Sequence, residues 1–207
     1  AQYTEVGNFV VIYSAVGADE ETIPTDNTQY NIAETSIIKI PNQEPKKLGY
    51  TFEGWKTGTD DTVYKYGTQN DTYTVPNDIS GAITFIAQWS INEYKITYEL
   101  NGGINAENAP VSYTIETDTI TLPVPTKDGY NFEGWYTDAA FENAVAAIAK
   151  GSVGDMVLYA KWSEKDMAVY KINSYEKGNV SVRKRTDTDD SSSVVIVAFY
   201  KTLNNNS

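Results

Sequence analysis

The chain has 207 residues and a formal net charge of −12, and 41% of its residues are hydrophobic and 13% aromatic. This acidic balance argues against nucleic acid and anionic membrane surfaces as partners, because like charges repel. Cysteine and histidine are both absent, which excludes disulfides, thiolate nucleophiles, Ser-His-Asp triads and metal sites built on those side chains.

The N-terminal part predicts strands separated by long loops. The first strand, near residues 9–15, is apolar on both faces, which favours a central or covered position in a sheet. The acidic stretch 16–30 is predicted to be a loop. Further along, residues 63–66 and 72–75 have the composition of strands.

A nine-residue phrase occurs twice. Residues 49–57 read GYTFEGWKT and residues 129–137 read GYNFEGWYT. The flanks also match: FIAQW ends at Trp89 and LYAKW ends at Trp162. This repetition predicts a duplicated unit, which we name module one (residues 1–90) and module two (residues 91–163). Module one carries the longer loop, within residues 58–80.

The phrase itself predicts local backbone geometry. In an unbroken strand Phe132 and Trp135 would point to opposite faces, although both favour burial. A β-bulge at the intervening glycine would turn both inward, and Gly49 and Gly129 suit turns with positive φ. The residues expected to carry the fold of both copies are Gly49, Tyr50, Phe52, Gly54, Trp55, Trp89, Gly129, Tyr130, Phe132, Gly134, Trp135 and Trp162.

Module two shows further strand signals. Residues 95–100 alternate between apolar and polar, a turn follows at residues 101–103, and strands are predicted near 111–116 and 119–122. The stretch 138–151 has a helical pattern when taken alone. We favour extended structure there, because its counterpart in module one contains predicted strands.

Residues 164–207 are not a third copy, since they lack the phrase. They predict strands at 168–174, 179–184 and 194–200, and so a β-rich tail. Three strands in so short a segment are marginal alone, so the tail is expected to pack on module two or to belong to a larger domain. The predicted fold class is therefore mostly β, α+β at most.

Candidate ligand contacts are few. Tyr136 and Tyr113 are the aromatic residues that we consider for stacking on sugar rings, and Tyr136 replaces Lys56 of module one. The acidic pairs do not fit a calcium-binding loop. The residue types of an intramolecular Lys–Asn isopeptide bond are present, but the sequence cannot place them together.

The phrase, followed after a spacer by LYAKW, resembles the Listeria–Bacteroides repeat, also called the internalin B-repeat. The resemblance covers residues 91–163 well, residues 8–90 more loosely, and residues 164–207 not at all. It implies tandem β-grasp-like modules in secreted or wall-attached bacterial surface proteins. It implies no catalytic residues and no cofactor.

These observations leave three hypotheses open. The first is a non-enzymatic, monomeric spacer or adhesion region of an exported protein at the bacterial cell surface, with an unknown protein or glycan ligand and no membrane insertion within this chain. The second is a carbohydrate- or receptor-binding module. The third is an accessory region of a larger surface hydrolase.

Overall fold

The structure, a computed structural model, describes residues 7–79, 81–165, 170–176 and 179–184. Its regular structure in these ranges is almost entirely strand, which confirms the predicted mostly-β fold class. A single 3-10 turn, Glu20–Thr22, interrupts the acidic loop after the first strand. Within the same ranges, no helix has the length and apolarity that crossing a membrane would require.

Module one is built on a four-stranded sheet. Its strands lie in the order β2-β1-β6-β4, with β1 and β6 parallel at the centre and antiparallel neighbours on either side. A separate two-stranded ribbon pairs β3 with β5. The bounds are β1 (Asn8–Ser14), β2 (Gln29–Asn31), β3 (Ile37–Lys39), β4 (Tyr50–Lys56), β5 (Thr72–Thr74) and β6 (Gly81–Ile91).

Module two repeats this plan. Its sheet has the order β11-β10-β13-β7-β8, again with two parallel strands, β7 and β13, at the centre. The ribbon β9–β12 takes the place of β3–β5. The bounds are β7 (Glu93–Glu99), β8 (Ser112–Thr114), β9 (Ile120–Thr121), β10 (Tyr130–Tyr136), β11 (Ala144–Val145), β12 (Ala147–Ile148) and β13 (Met156–Glu164). Both copies are therefore β-grasp-like.

Each module has its own hydrophobic core. Trp55 and Phe85 are fully buried in the first, and Trp135 and Leu158 are buried in the second. Each large aromatic side chain buries a large apolar area, so a small module can form a stable hydrophobic core.

The strand β1 lies at the centre of its sheet, as its apolar composition predicted. Of the two alternatives, central or covered, the central position is the one found, and Val10 and Ile12 on the outer face are 37% and 46% exposed. One face of this sheet packs on the core and the other faces solvent, an arrangement that mixed sheets with antiparallel edges tolerate.

The predicted bulges are present at both copies of the phrase. The pairing register shifts between Phe52 and Gly54 and again between Phe132 and Gly134. The two glycines have φ of +140° and +136°, which residues with a Cβ rarely adopt. The ring of Phe52 consequently lies 5.1 Å from that of Trp55, edge to face, on the core side.

The structure resolves the stretch that was open to alternatives and corrects one predicted strand. Residues 138–151 are not helical; they contain β11 and β12, as the comparison between the copies favoured. The predicted strand at 63–66 is wrong, since only an isolated bridge joins Tyr64 to Trp55. The reason is local: the chain turns within the segment, where the Thr68 amide donates to the Lys65 carbonyl at 3.3 Å and Gly67 has φ of +74°.

The tail contains one hairpin among its described residues. The strands β14 (Tyr170–Glu176) and β15 (Asn179–Lys184) pair antiparallel, with a register shift between Ile172 and Ser174. The strand predicted at 194–200 lies outside the described residues.

Candidate functional site

The turn that opens the phrase forms the same corner in both modules. The amide of Tyr50 donates to the carbonyl of Lys47 at 3.0 Å, and the amide of Tyr130 donates to that of Lys127 at 3.1 Å. The glycine between them has φ of +78° in module one and +76° in module two. We call these turns the Gly49 corner and the Gly129 corner.

A second backbone hydrogen bond fixes the chain that leaves each module. The Gly49 carbonyl accepts the Asn92 amide at 2.9 Å, and the Gly129 carbonyl accepts the Lys165 amide at 2.9 Å. Asn92 and Lys165 each come three residues after the closing tryptophan. The exit of the chain is therefore held at the same point twice.

A lysine lies over aromatic rings at each corner. The ammonium of Lys47 is 4.0 Å from the Tyr50 ring centroid and 5.8 Å from that of Trp89. In module two the corresponding distances from Lys127 are 4.1 Å to Tyr130 and 5.8 Å to Trp162. Such cation–π contacts orient the lysine stem along the ring while its charge stays hydrated.

Module two covers the Gly49 corner with the turn that follows β8, which we call the tip (Ile115 and Glu116). A Cβ placed on Gly49 would lie 2.6 to 2.8 Å from three side-chain carbons of Ile115, so the isoleucine packs directly on the glycine. The Tyr50 hydroxyl donates to the Glu116 carboxylate. This hydrogen bond is the main reason that the Tyr50 pKa is raised.

The connection at this junction is short. Strand β6 ends at Ile91 and β7 begins at Glu93, so Asn92 alone separates them. The Thr51 hydroxyl donates to the Asn92 side-chain carbonyl at 2.6 Å. An open cleft of about 550 Å³ runs along the contact, with Lys47 and Lys150 among its lining residues.

The Gly129 corner has different surroundings. Gly129 is exposed whereas Gly49 is buried. Among the described residues, nothing lies within 4 Å of a Cβ built on Gly129. An open groove of about 530 Å³ extends from this corner past Lys127, Trp162 and Lys161.

Phe141 lines the groove and forms an aromatic pair with Tyr136 beside it. The rings of Tyr136 and Phe141 meet edge to face at 5.5 Å, and the ammonium of Lys161 is 5.1 Å from the Tyr136 centroid. We call the groove with this pair the aromatic groove. Its counterpart in module one has Lys56 in place of Tyr136 and Gln88 in place of Lys161, so this half belongs to module two alone.

Phe141 is held in the groove by a strained loop. Its φ is +58°, a region in which bulky residues are outliers and which often occurs at functional sites. The Asp138 carboxylate accepts hydrogen bonds from the backbone amides of Glu142, at 3.1 Å, and Asn143, at 2.8 Å. These hydrogen bonds, that from Glu142 first, lower the Asp138 pKa.

The structure separates the two predicted ligand contacts. Tyr136 is half-buried beside the groove. Tyr113 does not fit the role, because it is 4% exposed and its hydroxyl donates to the Gly154 carbonyl at 2.6 Å inside the module. Because the hydroxyl is hydrogen-bonded inside the module, the Tyr113 side chain can be buried in the core.

Several residues of the corners were not singled out from the sequence. Lys47 and Lys127 each stand two residues before the Gly-Tyr pair, and this repetition was an available signal. Phe141 was noted only as part of a helical pattern. The pairing of Ile115 with Gly49 is a contact between modules, for which one sequence carries no signal.

The described residues contain no group of three or more acidic side chains arranged to hold a metal ion. Their buried polar set consists of Thr57 alone.

Two copies of one mixed sheet, joined through a glycine corner that recurs in each copy, define a tandem-repeat β-protein. The chain belongs to the Listeria–Bacteroides repeat domain family, whose model matches residues 9–88 and 94–161. This confirms the resemblance seen in the phrase.

The chain is also similar to much longer proteins. It is 32% identical over 177 residues to a glycine-rich protein of Evansella cellulosilytica whose name describes it as a membrane protein; the match covers 82% of this chain and 19% of that protein. It is 33% identical over 144 residues to internalin H of Listeria monocytogenes, covering 67% and 24% respectively. The chain thus spans about a fifth to a quarter of the length of these relatives, and no solved structure matches it.

Proposed function

We propose that this chain is a non-enzymatic spacer region of an exported bacterial surface protein, with module one at residues 1–90, module two at 91–163 and a separate β-rich tail. The family and the similarity to internalin H support a surface role. The observation that carries the proposal is the junction at the Gly49 corner. A region that spaces and presents other parts of a protein needs modules that keep a fixed relative orientation.

The junction supplies several independent restraints on that orientation. The backbone hydrogen bond from Asn92 to Gly49 fixes the direction of the connection. The isoleucine of the tip fills the space over Gly49, and the bond from Tyr50 to Glu116 adds a polar contact at the rim. A one-residue connection leaves few backbone dihedrals free to flex.

Spin-label distances test the proposal. The chain has no cysteine, so Thr84→Cys in module one and Val157→Cys in module two can be labelled without other changes. We expect one narrow distance distribution in the full chain, which Ile115→Ser broadens. The matched control is Ile104→Ser, which alters an isoleucine of the same module that is 72% exposed. A broad distribution in the parent chain would overturn the spacer proposal.

A second candidate function is the binding of an acidic sugar in the aromatic groove. It is favoured by the half-buried pair Tyr136 and Phe141 with Lys161 beside it, since aromatic faces stack on sugar rings and an ammonium pairs with a carboxylate. The Tyr136–Phe141 pair is specific to module two, whereas the glycine corner occurs in both modules.

Titration with a uronic acid oligosaccharide, followed by amide NMR shifts, tests this candidate. We expect shifts in the loop 138–143 and their loss in Phe141→Ala and in Lys161→Gln. Gln88→Ala, at the position of module one that matches Lys161, is the control and should leave the shifts unchanged. Absence of shifts at millimolar sugar, or their persistence in Phe141→Ala, would rule it out.

A further inference from the structure

The contact between the modules has two halves, and both halves recur. The first is the tip. In module two the tip follows β8 and begins with Ile115, and in module one Ile32 follows β2 at the same point, although it packs against the core of its own module. The strands β2 and β8 occupy equivalent positions, because Asn31 pairs with Asn8 as Thr114 pairs with Glu93. An acidic residue comes shortly after each isoleucine.

The second half is the glycine corner. The two corners agree in the positive φ of the glycine, in the 2.9 Å bond to its carbonyl and in the lysine-to-ring distances. They differ in what covers them. The Gly49 corner is buried under Ile115, whereas the Gly129 corner is open to solvent among the described residues.

We propose that the Gly129 corner is a docking site for the tip of a further repeat module, an inference that rests on the proposed spacer function. The branched side chain of the tip would pack on the bare Cα of Gly129. The carboxylate that follows would accept the Tyr130 hydroxyl close to the ammonium of Lys127. The ligand is therefore an apolar β-branched residue followed by a carboxylate, presented at the turn after an edge strand.

The chemistry of the corner explains why this ligand fits. A glycine without a Cβ lets an aliphatic side chain approach the backbone closely, and burial of that side chain supplies the affinity. The tyrosine hydroxyl gives the rim a donor for a carboxylate, as the Tyr50 hydroxyl donates to Glu116 at the Gly49 corner. The Gly49 corner already binds Ile115 and Glu116 in this way, so the proposed site would repeat an interface that the structure contains.

A three-module chain tests the proposal. Residues 91–163 are inserted a second time directly after Ser163, with residues 164–207 following. Thr84 and Val157 occupy matching positions, as each lies five residues before the closing tryptophan. Cysteines at Thr84, at Val157 and at the inserted copy of Val157, introduced two at a time, report each junction separately.

We expect the pair across the second junction to give a narrow peak at the same distance as the pair across the first. Gly129→Ala, or Ile115→Ser in the inserted copy alone, should abolish the narrow peak of the second junction and leave that of the first intact. Gly49→Ala should abolish the narrow peak of the first junction and leave that of the second intact. A first junction that is broad would instead contradict the spacer function itself.

Three outcomes would overturn the docking site. One is a broad second junction beside a narrow first one. Another is a narrow second junction that persists in both variants. The third concerns the tail: if Gly129→Ala in the 207-residue chain shifts the amide NMR signals of residues 170–176 and 179–184, the tail is the occupant of the corner.

Discussion

Gly54 and Gly134 occupy the same position in the two bulges, but they have different neighbours. A Cβ on Gly54 would lie 2.5 Å from a methyl carbon of Val63 and 2.8 Å from the backbone oxygen of Tyr64. Within the described part of the chain, a Cβ on Gly134 would meet only the Tyr136 ring, at 3.8 Å. Gly54 is therefore required both by its positive φ and by the lack of room for a side chain. Gly134 is required by its positive φ alone.

Alanine at these two positions should therefore destabilise the modules unequally. Both changes incur the strain of a positive φ, about 1–3 kcal/mol. Gly54→Ala adds steric overlap with backbone, for which overpacked sites lose about 1–3 kcal/mol more. Urea unfolding followed by tryptophan fluorescence measures both variants, since each module contains two tryptophans. Equal losses of unfolding free energy would contradict this explanation.

At the scale of an element, the loop 138–143 should respond to acid. The folded-state pKa of Asp138 is lowered by the amides that its carboxylate accepts, so it lies below the unfolded value of about 3.9. The carboxylate therefore stabilises the loop above the unfolded pKa, and this contribution is lost as pH falls through the folded pKa. We expect the NMR signals of Phe141 and Asn143 to change together below about pH 4.

Substitution at two carboxylates separates this effect from general acid unfolding. Asp138→Asn should remove the acid transition of the loop, because no proton is then taken up there. Glu142→Gln is the matched control. It removes a carboxylate from the same loop but keeps the backbone amide that donates to Asp138, so the acid transition of the loop should remain. A transition that survives in Asp138→Asn would assign the pH response to another group.

How far an element could be predicted from the sequence depended on the range of the interactions that form it. The bulges followed from local conflict, because Phe132 and Trp135 cannot both face the core without an irregularity. The extended state of residues 138–151 followed from comparing the copies, against a helical pattern. The strand predicted at 63–66 does not form because the turn at Gly67 outweighs the β-forming composition of the segment.

The candidate site was less predictable for the same reason. Tyr136 stood out because it differs between the copies, and it does lie beside the aromatic groove. Tyr113 does not fit the role, since its burial in the core of module two involves a hydrogen bond to Gly154, 41 residues away in the chain. The packing of Ile115 on Gly49 depends on the relative placement of two modules, which no local pattern encodes.

At the scale of the whole molecule, one glycine should control the relation between the modules. Gly49→Ala places a methyl group where Ile115 packs, and the resulting overlap of 2.6 to 2.8 Å can be relieved only if the tip moves away. We expect small-angle scattering of the 207-residue chain to show a larger radius of gyration and a more flexible profile, with both cores still folded by circular dichroism.

Gly129→Ala is the control that isolates the junction from backbone strain. The two glycines have nearly equal φ, +78° and +76°, so the conformational cost of alanine is the same in both modules. Among the described residues, nothing lies within 4 Å of a Cβ built on Gly129, so the scattering profile should remain that of the parent chain. If both variants expand the chain equally, strain in the turn rather than packing of the tip sets the orientation of the modules, and the junction would not act as a spacer joint.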